Sequence, residues 1–125
     1  MKGGEIMHNL IYLIGRLTKD PEKVKLENGK TVTTINVAVN RNYKNEEGLY
    51  ETDYIDCTLW NGIAESTCEF TRKGDLVGIK GRIQNNNYVD KDGNKKYGYE
   101  IIADKVSFLS TKKVNETETE TSMEV

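Results

Sequence analysis

One proline, one histidine, two cysteines and one tryptophan are all that this 125-residue chain holds of those types. The lone histidine, His8, and two cysteines without metal-ligand spacing cannot assemble a zinc site or a Ser-His or Cys-His catalytic pair. No constellation of acid, base, nucleophile or metal can be named, so the chain does not read as an enzyme and no cofactor is expected. Cys57 and Cys68 fall inside periodic segments and read as buried free thiols, which suits a reducing compartment. No apolar run approaches the roughly 18 residues of a membrane span, and the N-terminus lacks a signal-peptide core. A cytoplasmic protein without a membrane partner is expected.

Net charge is also scarce, at −2, but it is unevenly placed. All 18 Lys and Arg lie within residues 1–113 with 16 of the 20 acids, a net of +2, and residues 114–125 carry −4. Overall acidity therefore does not exclude an anionic partner, and the local arrangement of charge must decide. The tail 111–125, with its Asn-Glu-Thr-Glu-Thr-Glu-Thr run, has no apolar periodicity and is expected to be short, acidic and disordered. Residues 1–8 read as a flexible N-terminus. Lys-Gly-Gly-Glu can be encoded by a purine-rich ribosome-binding sequence, so residues 1–6 are expected to be translated leader and Met7 the natural start.

Between these ends the pattern is that of strands. Residues 9–17 (NLIYLIGRL) are apolar on both parities, which predicts a strand covered on both faces, the second cover being another subunit. Asp20-Pro21 breaks it, and residues 23–26 lead to the tight-turn pair Asn28-Gly29. Over residues 31–40, Thr33, Ile35, Val37 and Val39 share one face, with Thr34, Asn36, Ala38 and Asn40 on the other. Residues 41–51 read as a polar loop carrying Tyr43 and Tyr50. On the strand 52–60, Ile55, Cys57 and Leu59 face a core, which sends Tyr54 and Trp60 outward with Asp56 and Thr58.

Asn61 is placed to cap a short helix running to about Lys73, with Gly74 after it and Arg72 and Lys73 complementing its C-terminus. Ile63, Ala64, Thr67, Cys68 and Phe70 supply its packed side. In the strand 75–84, Val77, Ile79 and Ile83 point inward and Leu76, Lys80, Arg82 and Gln84 outward, with Gly78 and Gly81 relieving crowding. Asp92-Gly93 turns a long hairpin that carries Tyr88, and residues 97–109 return as the last strand. Tyr12, Phe70, Tyr99 and Phe108 read as core or interface. The whole is all-β with one short helix. Residues 9–110 form one five-stranded Greek-key barrel on the OB-fold plan, with long hairpin loops. Rings interleaved with cations on its outer face suit a flexible polyanion with flat bases.

The same residues resemble the bacterial-type single-stranded DNA-binding proteins from about Met7 to Ser110. NLIYLIGRLTKDPE, TINVAVNRNY, DYIDCTLWNGIAE and RKGDLVGIKGRI match that family in order and spacing. The resemblance implies base stacking on Tyr43, Tyr54, Trp60 and Tyr88. It also implies a homotetramer and a part in DNA replication, recombination and repair near the nucleoid. Asn36, Arg41, Lys44, Lys73, Lys80 and Arg82 are the candidates for phosphate and polar contacts. The chain departs from the family pattern at Gln84-Asn85-Asn86-Asn87, where basic residues are usual, and in its tail, which lacks the Pro-Phe tip that docks partner enzymes. It resembles short-tailed paralogues or versions from mobile elements, for which partner recruitment is not implied. Other classes left open are an OB-fold accessory module of a primosome-type complex whose main ligand is protein, and a binder of RNA or oligosaccharide.

Overall fold

A computed structural model describes residues 6–110, and for Ser110 the backbone alone. The tail 111–125 lies outside the described residues, as does the expected leader except for Ile6. The elements are β1 (Ile11–Leu17), β2 (Val24–Lys25), β3 (Thr31–Lys44), β4 (Tyr50–Trp60), α1 (Asn61–Phe70), β5 (Leu76–Asn85), β6 (Tyr88–Val89), β7 (Lys95–Lys96) and β8 (Tyr99–Ser110). The strand order β1-β5-β8-β4-β3-β2, with β1 also paired to β3, closes the five long strands into a barrel consistent with the OB-fold. Among the described residues no helix is long and apolar enough to cross a membrane.

Closure turns on β1. It runs antiparallel to β5 from Ile11↔Gly81 to Arg16↔Leu76, and its last two residues also pair with β3, Arg16↔Ala38 and Leu17↔Val37. Serving two neighbours requires a sharp bend, which falls at Gly15: a Cβ there would strike the Ala38 carbonyl oxygen and lie 2.6 Å from Val37 Cγ1. Gly81 meets the second expectation of crowding, since a Cβ on it would run into the Ile102 carbonyl. Inside, Leu17, Ile35, Val37, Cys57, Leu59, Ala64, Val77, Ile79 and Ala103 form the core. The inward parity read for residues 33–39 and 55–59 is the one observed. Burial pushes the Cys57 thiol up to about 11, with Asp56 adding to the effect, so it stays protonated. Cys68 is only half-buried, because it lies on the flank of α1 rather than under it.

Within the protomer β1 is covered on one face only, and the face left for a second subunit carries Leu10, Tyr12 and Ile14, all exposed. Four readings need correction. The helix ends at Phe70, not Lys73, and Trp60 is its N-cap without a side-chain bond. Asn61 instead has φ 51°, and its Oδ1 accepts the Thr31 N–H at 3.3 Å. The early end has a local cause. Thr71 is extended, and both its N–H and its hydroxyl donate back to the Thr67 carbonyl. Asp75 and Asp20 carboxylates then accept the Arg72 and Lys73 amides at 2.8 and 2.7 Å, so residues 71–75 form a pinned turn. Arg72 does serve the helix terminus, donating to the Cys68 carbonyl at 3.0 Å.

Leu76 is buried although its parity is outward, because the register with β8 shifts between Leu76 and Val77 and the alternation does not carry through that irregularity. Ile83 is exposed although its parity is inward, because β5 has left the barrel there. The Asn9 side chain takes over the pairing, bonding the Ile83 carbonyl and N–H at 2.6 and 3.0 Å. Tyr12, Phe70, Tyr99 and Phe108, read as core or interface, are outside the core of this chain, which leaves the interface alternative. All four are exposed on this chain, with Phe70 and Phe108 rings 6.0 Å apart.

Candidate nucleic-acid interface

The stretch 41–51 is mostly strand. Asn45 Oδ1 accepts the Glu47 and Leu49 amides at 2.9 and 3.0 Å and Gly48 takes φ 81°, so the turn occupies only residues 45–49. β3 and β4 therefore project beyond the barrel as a two-stranded arm, and Tyr43 sits on β3 rather than in a loop.

Along β4 the alternation holds throughout. Even-numbered residues Tyr50, Thr52, Tyr54, Asp56, Thr58 and Trp60 take one face; Glu51, Asp53, Ile55, Cys57 and Leu59 take the other. Tyr54 is 68% exposed and Trp60 37%. The cross-strand partner of Tyr54 is Ala38, too small to cover a ring, and Trp60 stands opposite Val32. The two rings are separated by six residues, roughly 20 Å of strand. Between them Asn36 Nδ2 donates to Asp56 Oδ1 at 2.8 Å while its Oδ1 accepts the Thr18 hydroxyl at 2.8 Å. The carboxylate nearest the rings is thus already engaged.

Lys80 and Arg82 lie on the outer face of β5. Arg82 is the partner of Ile102, which is itself the partner of Thr58 on β4, so Arg82 is two strand spacings, roughly 10 Å, from the ring-bearing strand. Its guanidinium donates to Asp104 at 2.6 Å. Lys80 lies between Tyr12 on β1 and Lys105 on β8. Tyr88 stands on the β6–β7 hairpin opposite Lys96, whose ammonium is 3.8 Å from Asp90. Tyr88, Tyr97, Lys95 and Lys96 line a cleft of about 310 Å³.

Three candidates, Arg41, Tyr43 and Lys73, stand apart from the row on β4. Arg41 donates to both Asp53 oxygens at 3.1 and 3.0 Å and to Glu51 at 2.5 Å, carboxylates on the opposite face from Tyr54. The hydrogen bond from Arg41 holds the Asp53 carboxyl below its usual range, so this clamp persists until pH falls through that lowered value. Tyr43, inside the register break between Asn40 and Lys44, accompanies Arg41, whose pKa is raised chiefly by Asp53 and further by Tyr43. Lys73 sits in the turn after α1, about 15 Å of helix away from Trp60. Lys44, by contrast, pairs with Tyr50, its ammonium 5.8 Å from the ring centroid.

Sequence reasoning missed Tyr50, Lys95, Lys96 and Lys105. Extending the parity of β4 two residues upstream would have found Tyr50. Counting back across the Asp92-Gly93 turn would have set Lys96 opposite Tyr88, so the hairpin is less poor in cations than Gln84-Asn85-Asn86-Asn87 suggested. Among the described residues no group of three or more His, Cys, Asp and Glu side chains is placed to hold a metal.

Comparison with known proteins points one way. Residues 8–109 match the profile of the Single-strand binding protein family. The chain is 43% identical over 106 residues to the Single-stranded DNA-binding protein of Oceanobacillus iheyensis, covering 85% of this chain and 66% of that relative. It is 44% identical over 106 residues to Single-stranded DNA-binding protein B of Bacillus subtilis, covering 85% of this chain and 94% of the other. The match to Single-stranded DNA-binding protein 3 of Listeria innocua is 45% over 106 residues, 66% of that relative. This chain thus spans just under two thirds of the length of some relatives and nearly all of another.

Proposed function

The chain belongs to the single-strand binding protein family, and from that premise we propose that it coats single-stranded DNA without sequence preference. It acts without catalysis, protecting exposed strands and presenting them in replication, recombination and repair. The observation that carries this reading is the pair Tyr54 and Trp60, held outward by the same alternation that buries Ile55, Cys57 and Leu59. Stacking on a ring is indifferent to base identity because every base has a flat face. Tyr88 and Tyr43 extend the stacking surface onto the two hairpins. Lys44, Lys73, Lys80 and Arg82 supply phosphate contacts, with Asn36 donating from the same face as Tyr54. Arg41 contributes chiefly by fixing the β3–β4 arm through Asp53 and Glu51. The working form is a homotetramer in the cytoplasm: the uncovered Leu10, Tyr12 and Ile14 face of β1 suits a second copy.

The ionic share of binding tests this arrangement. Each phosphate neutralised on a single strand contributes roughly 0.7 to the slope of log affinity against log salt. Arg82 and Lys96 are already paired with carboxylates, which leaves Lys44, Lys73 and Lys80 as the free contributors among the proposed contacts. Titration with oligo-dT across a range of salt is expected to give a slope of roughly 2 to 3 per protomer, the three lysines giving about 2 and Arg82 the remainder where phosphate displaces Asp104. A slope as steep as that of a relative with a fully basic β5–β8 hairpin would contradict the proposed contacts.

A further inference from the structure

The outward row on β4 has a third ring that no part of the reading above uses. Tyr50 shares the parity of Tyr54 and Trp60, and the register break of the arm lies on β3, so β4 itself carries the row unbroken to its first residue. Tyr50 is 58% exposed. It stands four residues, roughly 13 Å, beyond Tyr54, with only Thr52 between them on that face. The Thr52 hydroxyl is tied down to Asn40 Oδ1 at 2.7 Å and does not rise between the rings.

The two sides of this ring differ. Toward β3 it meets Lys44, its cross-strand partner, with the ammonium 5.8 Å from the centroid. Away from β3 the edge of β4 is open, because pairing with β8 involves only Cys57 and Thr58. An aromatic plane with a cation on one side and open space on the other matches one nucleotide unit, a base for the open face and a phosphate for the ammonium. We propose that Tyr50 and Lys44 form a further nucleotide subsite at the end of the β3–β4 arm, continuing the track of Tyr54 and Trp60 for the same strand. Lys44 thereby gains a defined role, and two carboxylates of the strands stay clear of it: Glu51 and Asp53 are on the opposite face, held by Arg41.

The subsite rests on the proposed binding of single strands, and the test keeps the two apart. Wild type, Tyr50→Ala, Tyr50→Phe and Lys44→Ala proteins are titrated with end-labelled oligo-dT of increasing length, read by anisotropy, with Trp60 emission and melting temperature followed alongside. For long oligomers Tyr50→Ala is expected to bind about tenfold more weakly, while Tyr50→Phe binds like wild type because stacking does not need the hydroxyl. Lys44→Ala lowers the salt slope by about 0.7. For oligomers too short to reach the arm, the difference between Tyr50→Ala and wild type disappears, and Trp60 quenching at saturation is unchanged. If wild type binds and Tyr50→Ala matches it at every length, the subsite is refuted and the reading of function stands. If Tyr50→Ala shifts only the melting temperature, the ring is a brace for the arm and the subsite is likewise refuted. If wild type binds no oligo-dT, both fall.

Discussion

Replacing Tyr54 and Trp60 together by alanine is expected to weaken binding of oligo-dT by about 10²–10³-fold while leaving the barrel folded. Each base–ring stack is worth roughly 1–3 kcal/mol and each 1.4 kcal/mol is tenfold, so two rings span roughly 30-fold to 10⁴-fold. The fold is insulated because neither ring belongs to the core: Tyr54 projects above Ala38, and the buried residues of β4 are Cys57 and Leu59. Surface replacements of this kind change stability by about 0.5 kcal/mol, which is a melting shift of about 4 °C or less. Since the double variant has no tryptophan, anisotropy of a labelled oligomer is the appropriate readout. Loss below threefold would mean that the rings are bystanders. Each phosphate contact, by comparison, acts through counterion release, so its removal mainly changes the salt slope.

The second large effect concerns the barrel itself. Gly15→Val is expected to destabilise the protein by about 3 kcal/mol or more, lowering the melting temperature by about 12–24 °C. The added Cβ meets the Ala38 carbonyl oxygen, Val37 Cγ1 at 2.6 Å and Val39 Cγ2 at 3.0 Å. None of these can yield cheaply. Ala38 O belongs to the backbone of β3, and Val37 is fully buried in the core. Moving β1 away from β3 would undo Arg16↔Ala38 and Leu17↔Val37, the pairs that close the barrel. The effect reaches the proposed binding surface as well, since Ala38 is the partner of Tyr54. Differential scanning fluorimetry of the variant checks the expectation, and a shift of less than 5 °C would show that the seam is more pliable than this geometry allows.

The inner halves of β3, β4 and β5 were legible because they obey a simple rule over a real core. Thr33, Ile35 and Val37, then Cys57 and Leu59, then Val77 and Ile79 alternate with outward residues, and all are buried. That alternation also placed Tyr54 and Trp60 correctly, with no reference to any relative. The pattern fell silent where the strands leave the barrel. Residues 41–51 have no core beneath them, so polar side chains on both faces disguised two strands as a loop and hid the register of Tyr50. The same loss of a floor exposed Ile83. The helix terminus was misread for a different reason: Asp20 and Asp75, one of them distant in sequence, capture the Lys73 and Arg72 amides and impose a turn that local propensity does not announce. Pairing of cations with carboxylates is equally non-local. Asp104 faces Arg82 across β5 and β8, and Asp53 faces Arg41 across the arm, so composition overstated the free positive charge of the surface.

Fluorescence of Trp60 offers the most direct check, because this side chain is the sole indole in the molecule and one of the surfaces on which a base is proposed to rest. Titrating the intact protein with oligo-dT at low salt should quench its emission to a saturating plateau, and added salt should reverse the quench in parallel with release of the oligomer. Emission that stays constant while saturating oligo-dT is present would contradict the account.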